Sequence, residues 1–209
     1  GLQLMALKLG GAVEKSDHRE YGPARLQIDD YTDLFENIGA SAETAEAEAP
    51  ADEWIVLFDG ESAEGWRGYG METMPAAWVV EDGTLHIQGS GRGEAGAEDG
   101  GDIIYDRKFG NFKMTFEWKV SEGGNSGVFY LGQESPEFDF IWKTAPEYQV
   151  LDNERHPDAE LGENGNRQSA SLYDLYPADP QNAKPAGEWN TGEIMVYNGT
   201  VVHKQNGEA

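Results

Sequence analysis

Residues 112–120 read Phe-Lys-Met-Thr-Phe-Glu-Trp-Lys-Val. In an extended chain Phe112, Met114, Phe116, Trp118 and Val120 share one face, while Lys113, Thr115, Glu117 and Lys119 share the other, because strand side chains alternate with a period of two. A helix would scatter the same apolar residues around its axis. The stretch therefore predicts a strand with one face in a core. Outward from it, Trp54 to Phe58 reads as a strand ending at Asp59-Gly60, and Ser126 to Leu131 and Glu147 to Leu151 read as two more. Trp78 to Val80 and Leu85 to Gln88 flank Glu81-Asp82-Gly83-Thr84 as a hairpin, since Asp-Gly accepts the positive φ of tight turns. Glu193 to Tyr197 and Val201 to Gln205 are joined across Asn198-Gly199 in the same way. At least eight short strands without a sustained helical pattern predict an all-β fold, an antiparallel β-sandwich or jelly roll.

Composition narrows the partners. The chain has 209 residues with 39 acidic and 15 basic side chains, a formal charge of −24. Nowhere do three Lys or Arg residues adjoin, so the chain offers no cationic patch for nucleic acid or anionic lipid. With no cysteine there is no disulfide and no thiolate nucleophile or ligand, and any metal must be held by oxygen or imidazole. The apolar stretch from Leu2 to Leu9 is too short to cross a bilayer and contains Lys8, which argues against membrane insertion. No cationic segment precedes it, so the expectation is the mature form of an exported protein, secreted or periplasmic, with its leader absent.

The chain divides by texture. Residues 1–52 carry 4 basic and 11 acidic side chains and end in the Ala/Glu tract from Ser41 to Glu53, which predicts an N-terminal extension and acidic linker before a β-sandwich domain over 53–209. Within the extension, Asp30 to Ile38 has the spacing of a short amphipathic helix through Leu34 and Ile38. The Gly-rich run from Gly89 to Gly101 lacks phosphate-cradle spacing and reads as a surface loop. A sandwich ending at Ala209 leaves an edge open, so the expectation is either further strands or closure by the N-terminal segment.

Candidate chemistry concentrates in Glu147 to His156, where alternation places Glu147, Gln149 and Leu151 on one face and Tyr148 and Val150 on the other. Two polar side chains on one sheet face fit a ligand-bearing surface or a solvent-facing one. Asp152, Asn153 and His156 then bring carboxylate, amide and imidazole into one short loop, able to bind a hard cation, orient a sugar hydroxyl or simply form an Asx-turn. Asn125 and Ser126, Trp189-Asn190, and His203 with Asn206 are ambiguous one by one.

Their joint order is more specific. Leu57-Phe58-Asp59-Gly60, Gly65-Trp66, Trp78 with Asp82-Gly83-Thr84-Leu85, Phe112 to Trp118, Gly124-Asn125-Ser126-Gly127-Val128, Glu147 to Asn153, Ser171-Leu172-Tyr173 and Gly187-Glu188-Trp189-Asn190 through His203 to Gly207 resemble the 3-keto-disaccharide hydrolase family over residues 53 to 209. Members often carry an Arg after the Asn-Ser-Gly strand, where this chain has Tyr130-Leu131-Gly132. The resemblance implies a concanavalin A-like jelly roll, a bacterial exported protein, and cleavage of the glycosidic bond of a sugar oxidised at C3. A C3 carbonyl acidifies the C2 proton, so a base can drive elimination at C1–C2 with hydration afterwards. On this reading Glu147 or His156 is the base, and His203 protonates the leaving group. Asn125, Ser126, Gln149, Asn153, Tyr173, Asn190 and Asn206 bind the oligosaccharide or glycoside, and Glu147 with Asp152 holds a divalent cation of the Ca, Mg or Mn type. Two alternatives use the same scaffold: a non-catalytic carbohydrate-binding module stacking sugars on exposed Trp such as Trp66 or Trp142, and a glycosidase using the carboxylate pair Glu117 and Glu147.

Overall fold

A computed structural model describes residues 54–88 and 100–209, and from the N-terminal segment the backbone of two strands. These two are β1 (Leu4–Leu9) and β2 (His18–Gln27). The remaining strands are β3 (Trp54–Phe58), β4 (Trp66–Gly68), β5 (Trp78–Glu81), β6 (Thr84–Gln88), β7 (Ile103–Lys108), β8 (Phe112–Val120), β9 (Asn125–Gly132), β10 (Glu147–Leu151), β11 (Asn190–Tyr197) and β12 (Thr200–Gln205). They form two antiparallel sheets. The smaller runs β10-β9-β1-β7-β4, and the larger runs β12-β11-β8-β2-β6-β5 with β3 against β2.

The apolar face of β8 is the centre of the core. Phe112, Met114, Phe116, Trp118 and Val120 are all buried and join Ile194 and Val196 from β11 with Val128, Tyr130, Tyr148 and Val150 from β9 and β10 in one cluster. Burying each such apolar side chain is worth about 1.5–3 kcal/mol against leaving it in water. Both hairpins turn as their dipeptides require: Asp82 and Gly83 have φ of 50° and 76°, and Asn198 and Gly199 have 46° and 81°.

The N-terminal segment takes a larger part than its composition announces. β1 lies between β9 and β7, and β2 between β8 and β6, so one strand from it enters each sheet. Gly22-Pro23 within β2 argues against a strand on sequence grounds, and the pairing with β8 does shift between Tyr21 and Ala24. The short strands β4 and β7 also escape a reading by alternation. The helix expected at Asp30 to Ile38 and most of the Gly-rich run, 89–99, lie outside the described residues.

Phe116 and Gly192 stand opposite each other on β8 and β11, and a Cβ at Gly192 would run into the Phe116 ring. Gly192→Ala is therefore expected to lower stability by about 1–3 kcal/mol in urea unfolding, as overpacking does. Gly110→Ala, where the added carbon meets open space, is expected to change it little.

Candidate functional site

Glu147 and Gln149 on β10 are paired with Phe129 and Gly127 on β9. Tyr148 and Val150 enter the core, so Glu147 and Gln149 project from the opposite, outer face of the smaller sheet. That face is covered at this point. Glu147 is 6% exposed and Gln149 1%, and the free edge of β10 is laced to residues 169–173. Gln149 N–H donates to Ser171 O at 3.2 Å, Ala170 N–H to Gln149 O at 2.8 Å, and Tyr173 N–H to Glu147 O at 3.1 Å. Gly127 makes the room Glu147 needs, because a Cβ there would meet the Glu147 carboxyl, its Cδ at 2.7 Å and Cγ at 2.8 Å. The Gln149 amide oxygen accepts Val150 N–H at 3.0 Å, which leaves its NH₂ as the group it presents.

A polar cluster adjoins this face. Tyr173 Oη donates to Asp158 Oδ2 at 2.8 Å. Arg167 reaches Asp158 through Nη1 at 3.0 Å and grips Asp174 through Nε and Nη2 at 2.8 and 3.1 Å, with its guanidinium 5.4 Å from the Tyr173 ring centre. Burial first, and then the bond to Asp158, raise the Tyr173 phenol above its ordinary pKa, so it stays protonated. His156 caps the 3-10 turn Pro157–Glu160, its Nδ1 accepting Asp158 N–H at 3.2 Å, which puts the ring proton on Nε2 in the neutral form. Asp158 and Arg167 escape the sequence reading, whose only cue is their closeness to His156 and Tyr173 along the chain.

Several expected site residues make hydrogen bonds to the surrounding backbone. Asp152 is 3% exposed, with Oδ2 accepting Gly123 N–H at 2.7 Å and Oδ1 accepting Glu154 N–H at 3.1 Å. Each oxygen thus accepts one backbone N–H, which fixes the carboxylate's orientation. Among the described residues no three His, Asp or Glu side chains are grouped to hold a metal ion. Asn153 Oδ1 accepts Ser169 N–H at 2.9 Å and fastens the start of the 169–173 segment. Asn125 stands opposite Leu151 and so shares the Glu147 face, whereas Ser126 stands opposite Val150 and faces the interior. Asn190 and Asn206 bond each other at 2.9 Å and take up Lys184 N–H and Thr191 N–H, tying the 182–190 loop to the end of β11 and β12. Trp66 is buried with Nε1 donating to Leu57 O at 2.7 Å, which removes it as a stacking platform, and Trp142 is 41% exposed.

His203 lies away from Glu147, on the inner side of β12. Tyr130 Oη is 2.8 Å from its Nε2, and Ala170 O is 3.0 Å from its Nδ1. A carbonyl only accepts, so Nδ1 carries the proton and Nε2 accepts from Tyr130. Burial lowers the imidazole pKa to about 4, so the ring is neutral and is no acid for a leaving group near neutral pH. An unfolded chain would bind this proton near pH 6.5. The resulting stability is complete above pH 6.5 and is lost as pH falls toward 4, because there the unfolded state binds more protons. His203→Gln is expected to lack this component, on the order of 3 kcal/mol, when urea stability is compared with the unaltered protein across that range.

Residues 53–209 match the model of the 3-keto-alpha-glucoside-1,2-lyase-like domain. A 3-keto-disaccharide hydrolase from Bacteroides thetaiotaomicron is 55% identical over 177 residues, 81% of this chain, and the chain spans 61% of that relative's length. A solved structure of a candidate glycosyl hydrolase from Parabacteroides distasonis superposes with a TM-score of 0.62 at 29% identity, covering 74% of this chain and 68% of that one. A 38-residue stretch, 18% of the chain, is 58% identical to glutamine-hydrolysing GMP synthase of Gloeobacter violaceus and covers 7% of it.

Proposed function

Because the chain belongs to the 3-keto-alpha-glucoside-1,2-lyase-like family, we propose that it cleaves 3-keto-glycosides by elimination across C1 and C2 of the oxidised sugar. The observation that carries this reading is the pairing, on one strand face, of the Glu147 carboxylate seated over Gly127 with the Gln149 amide donor two residues on. Glu147 takes the C2 proton, made acidic by the C3 carbonyl. The electrons of the C2–H bond become the C1=C2 double bond as the C1–O bond to the aglycone breaks. Gln149 NH₂ and Asn125, on the same face, are the donors for the charge that develops on the C3 oxygen. The proton held by Glu147 returns to the departing oxygen, and water then adds across C1=C2.

This route needs one carboxylate. Glu117, the second carboxylate of a conventional glycosidase pair, is on the outer face of the larger sheet, with the core between it and Glu147. Stacked sheets lie about 10 Å apart, so carboxylates on their two outer faces exceed the separation of about 5–9.5 Å that such pairs require. We propose too that the protein is exported from a bacterial cell; its charge of −24 suits a solvated surface in saline surroundings.

Incubation with a 3-keto-disaccharide and with its unoxidised parent tests the proposal: only the keto form should release sugar. Glu147→Gln should slow that release by about 10²–10⁴-fold, the span attributed to a positioned general base. Binding of the keto sugar without cleavage would make the protein a carbohydrate-binding module. Gly127→Ala, which displaces the carboxyl without altering it, should cost about 100-fold in turnover, in line with a misplacement of roughly 1 Å.

A further inference from the structure

We propose that His203 is a positioning residue for this reaction, holding Ala170 in a left-handed backbone conformation and so laying residues 171–173 along the catalytic strand. The proposal rests on the reading of Glu147 as the base. Ala170 has φ of 64°, a region that side chains with a Cβ rarely enter, and it is buried. Both its backbone polar groups are engaged: N–H donates to Gln149 O, and C=O accepts the Nδ1 proton of His203. The bend at Ala170 joins two sets of contacts to β10. Before it, Ser169 Oγ donates to Leu151 O at 2.8 Å and accepts Leu151 N–H at 3.0 Å. After it, Ser171 O accepts Gln149 N–H, and Tyr173 N–H donates to Glu147 O.

The imidazole is itself confined. Its ring centre lies 5.5 Å from that of Tyr130 and 4.9 Å from that of Tyr148, the chain neighbour of Glu147, and Tyr130 Oη donates to the nitrogen not facing Ala170. A residue of the larger sheet thus reaches across the sandwich and holds, by one carbonyl, the bend that brings Tyr173 to the edge of β10. An apolar side chain at 203 would leave that buried carbonyl unpaired and the left-handed bend without its anchor. This also assigns a use to a titratable group that the elimination does not need as an acid.

The test compares the full chain with His203→Phe, His203→Gln and the double variant His203→Phe/Ala170→Gly, reading 3-keto-disaccharide kinetics and amide hydrogen exchange residue by residue. His203→Phe should lower kcat by about tenfold or more with little change in KM, as lost orientation does. It should also speed exchange at Ala170 and Tyr173 but not at Phe116 on β8. Adding Ala170→Gly should restore most of kcat, since glycine adopts positive φ without a steric penalty. His203→Gln, whose amide can donate to the same carbonyl, should keep both exchange protection and most of kcat, and it remains informative if the Phe variant does not fold. Unchanged kcat and unchanged exchange in His203→Phe would overturn the proposal. So would a loss of kcat that Ala170→Gly fails to repair while exchange rises everywhere, which is the signature of a general loss of stability. If the unaltered protein leaves the keto sugar intact, the reading of Glu147 falls and the catalytic role of His203 with it, while the exchange data alone still decide whether His203 holds the bend.

Discussion

The edge of β10 must be closed. It is the outermost strand of its sheet, and an edge strand left bare exposes a row of backbone donors and acceptors. Residues 169–173 fill that row, and the consequences spread in both directions. Toward the outer face, the covering segment buries Glu147 and Gln149 and brings Tyr173 beside them, where water is scarce and a carboxylate is sensitive to small displacements. Toward the core, the same segment depends on a left-handed Ala170 whose carbonyl faces a histidine from the opposite sheet. β10 is thus held by β9 along one edge, by a loop along the other, and by the packed interior behind.

Polar residues divide into two groups with different work. Asp152, Asn153, Asn190 and Asn206 hold loops to strand ends by accepting backbone N–H groups, which fixes local geometry. Glu147, Gln149 and Asn125 stand on strands paired in register, so their spacing is set by the ladder rather than by loops. Arg167, shared between two aspartates and lying against Tyr173, braces the loop that covers this face. A reaction that needs one base and an oxyanion donor fits this arrangement on one strand face better than one requiring two opposed carboxylates.

Much of the fold was legible. The alternation of Phe112 to Val120 and the Asp-Gly and Asn-Gly turns encode local geometry, and β8, β10 and both hairpins stand where those signals put them. Less legible were β2, in which Gly22-Pro23 reads as a break, and β4, too short at three residues for alternation to register. For the site, the outer face of β10 followed from period two alone, but its burial did not, because the covering segment begins 18 residues further along the chain, as the bond from Leu151 to Ser169 shows. Loop residues were the hardest. An Asp or Asn that caps a turn and one that binds a ligand are the same side chain, and only distant partners such as Gly123 and Ser169 separate the two. His203 shows the same limit, since its neutral, confined state comes from Tyr130, Tyr148 and Ala170 together.

On the proposed route, cleavage begins by removal of the C2 proton at the Glu147 face. The most direct measurement is the fate of deuterium placed at C2 of a 3-keto-disaccharide, followed by mass spectrometry of the released sugar in ordinary water. Elimination predicts that the label is lost from the product and that the labelled substrate turns over more slowly. A product that retains the deuterium, released at the unlabelled rate, would contradict it.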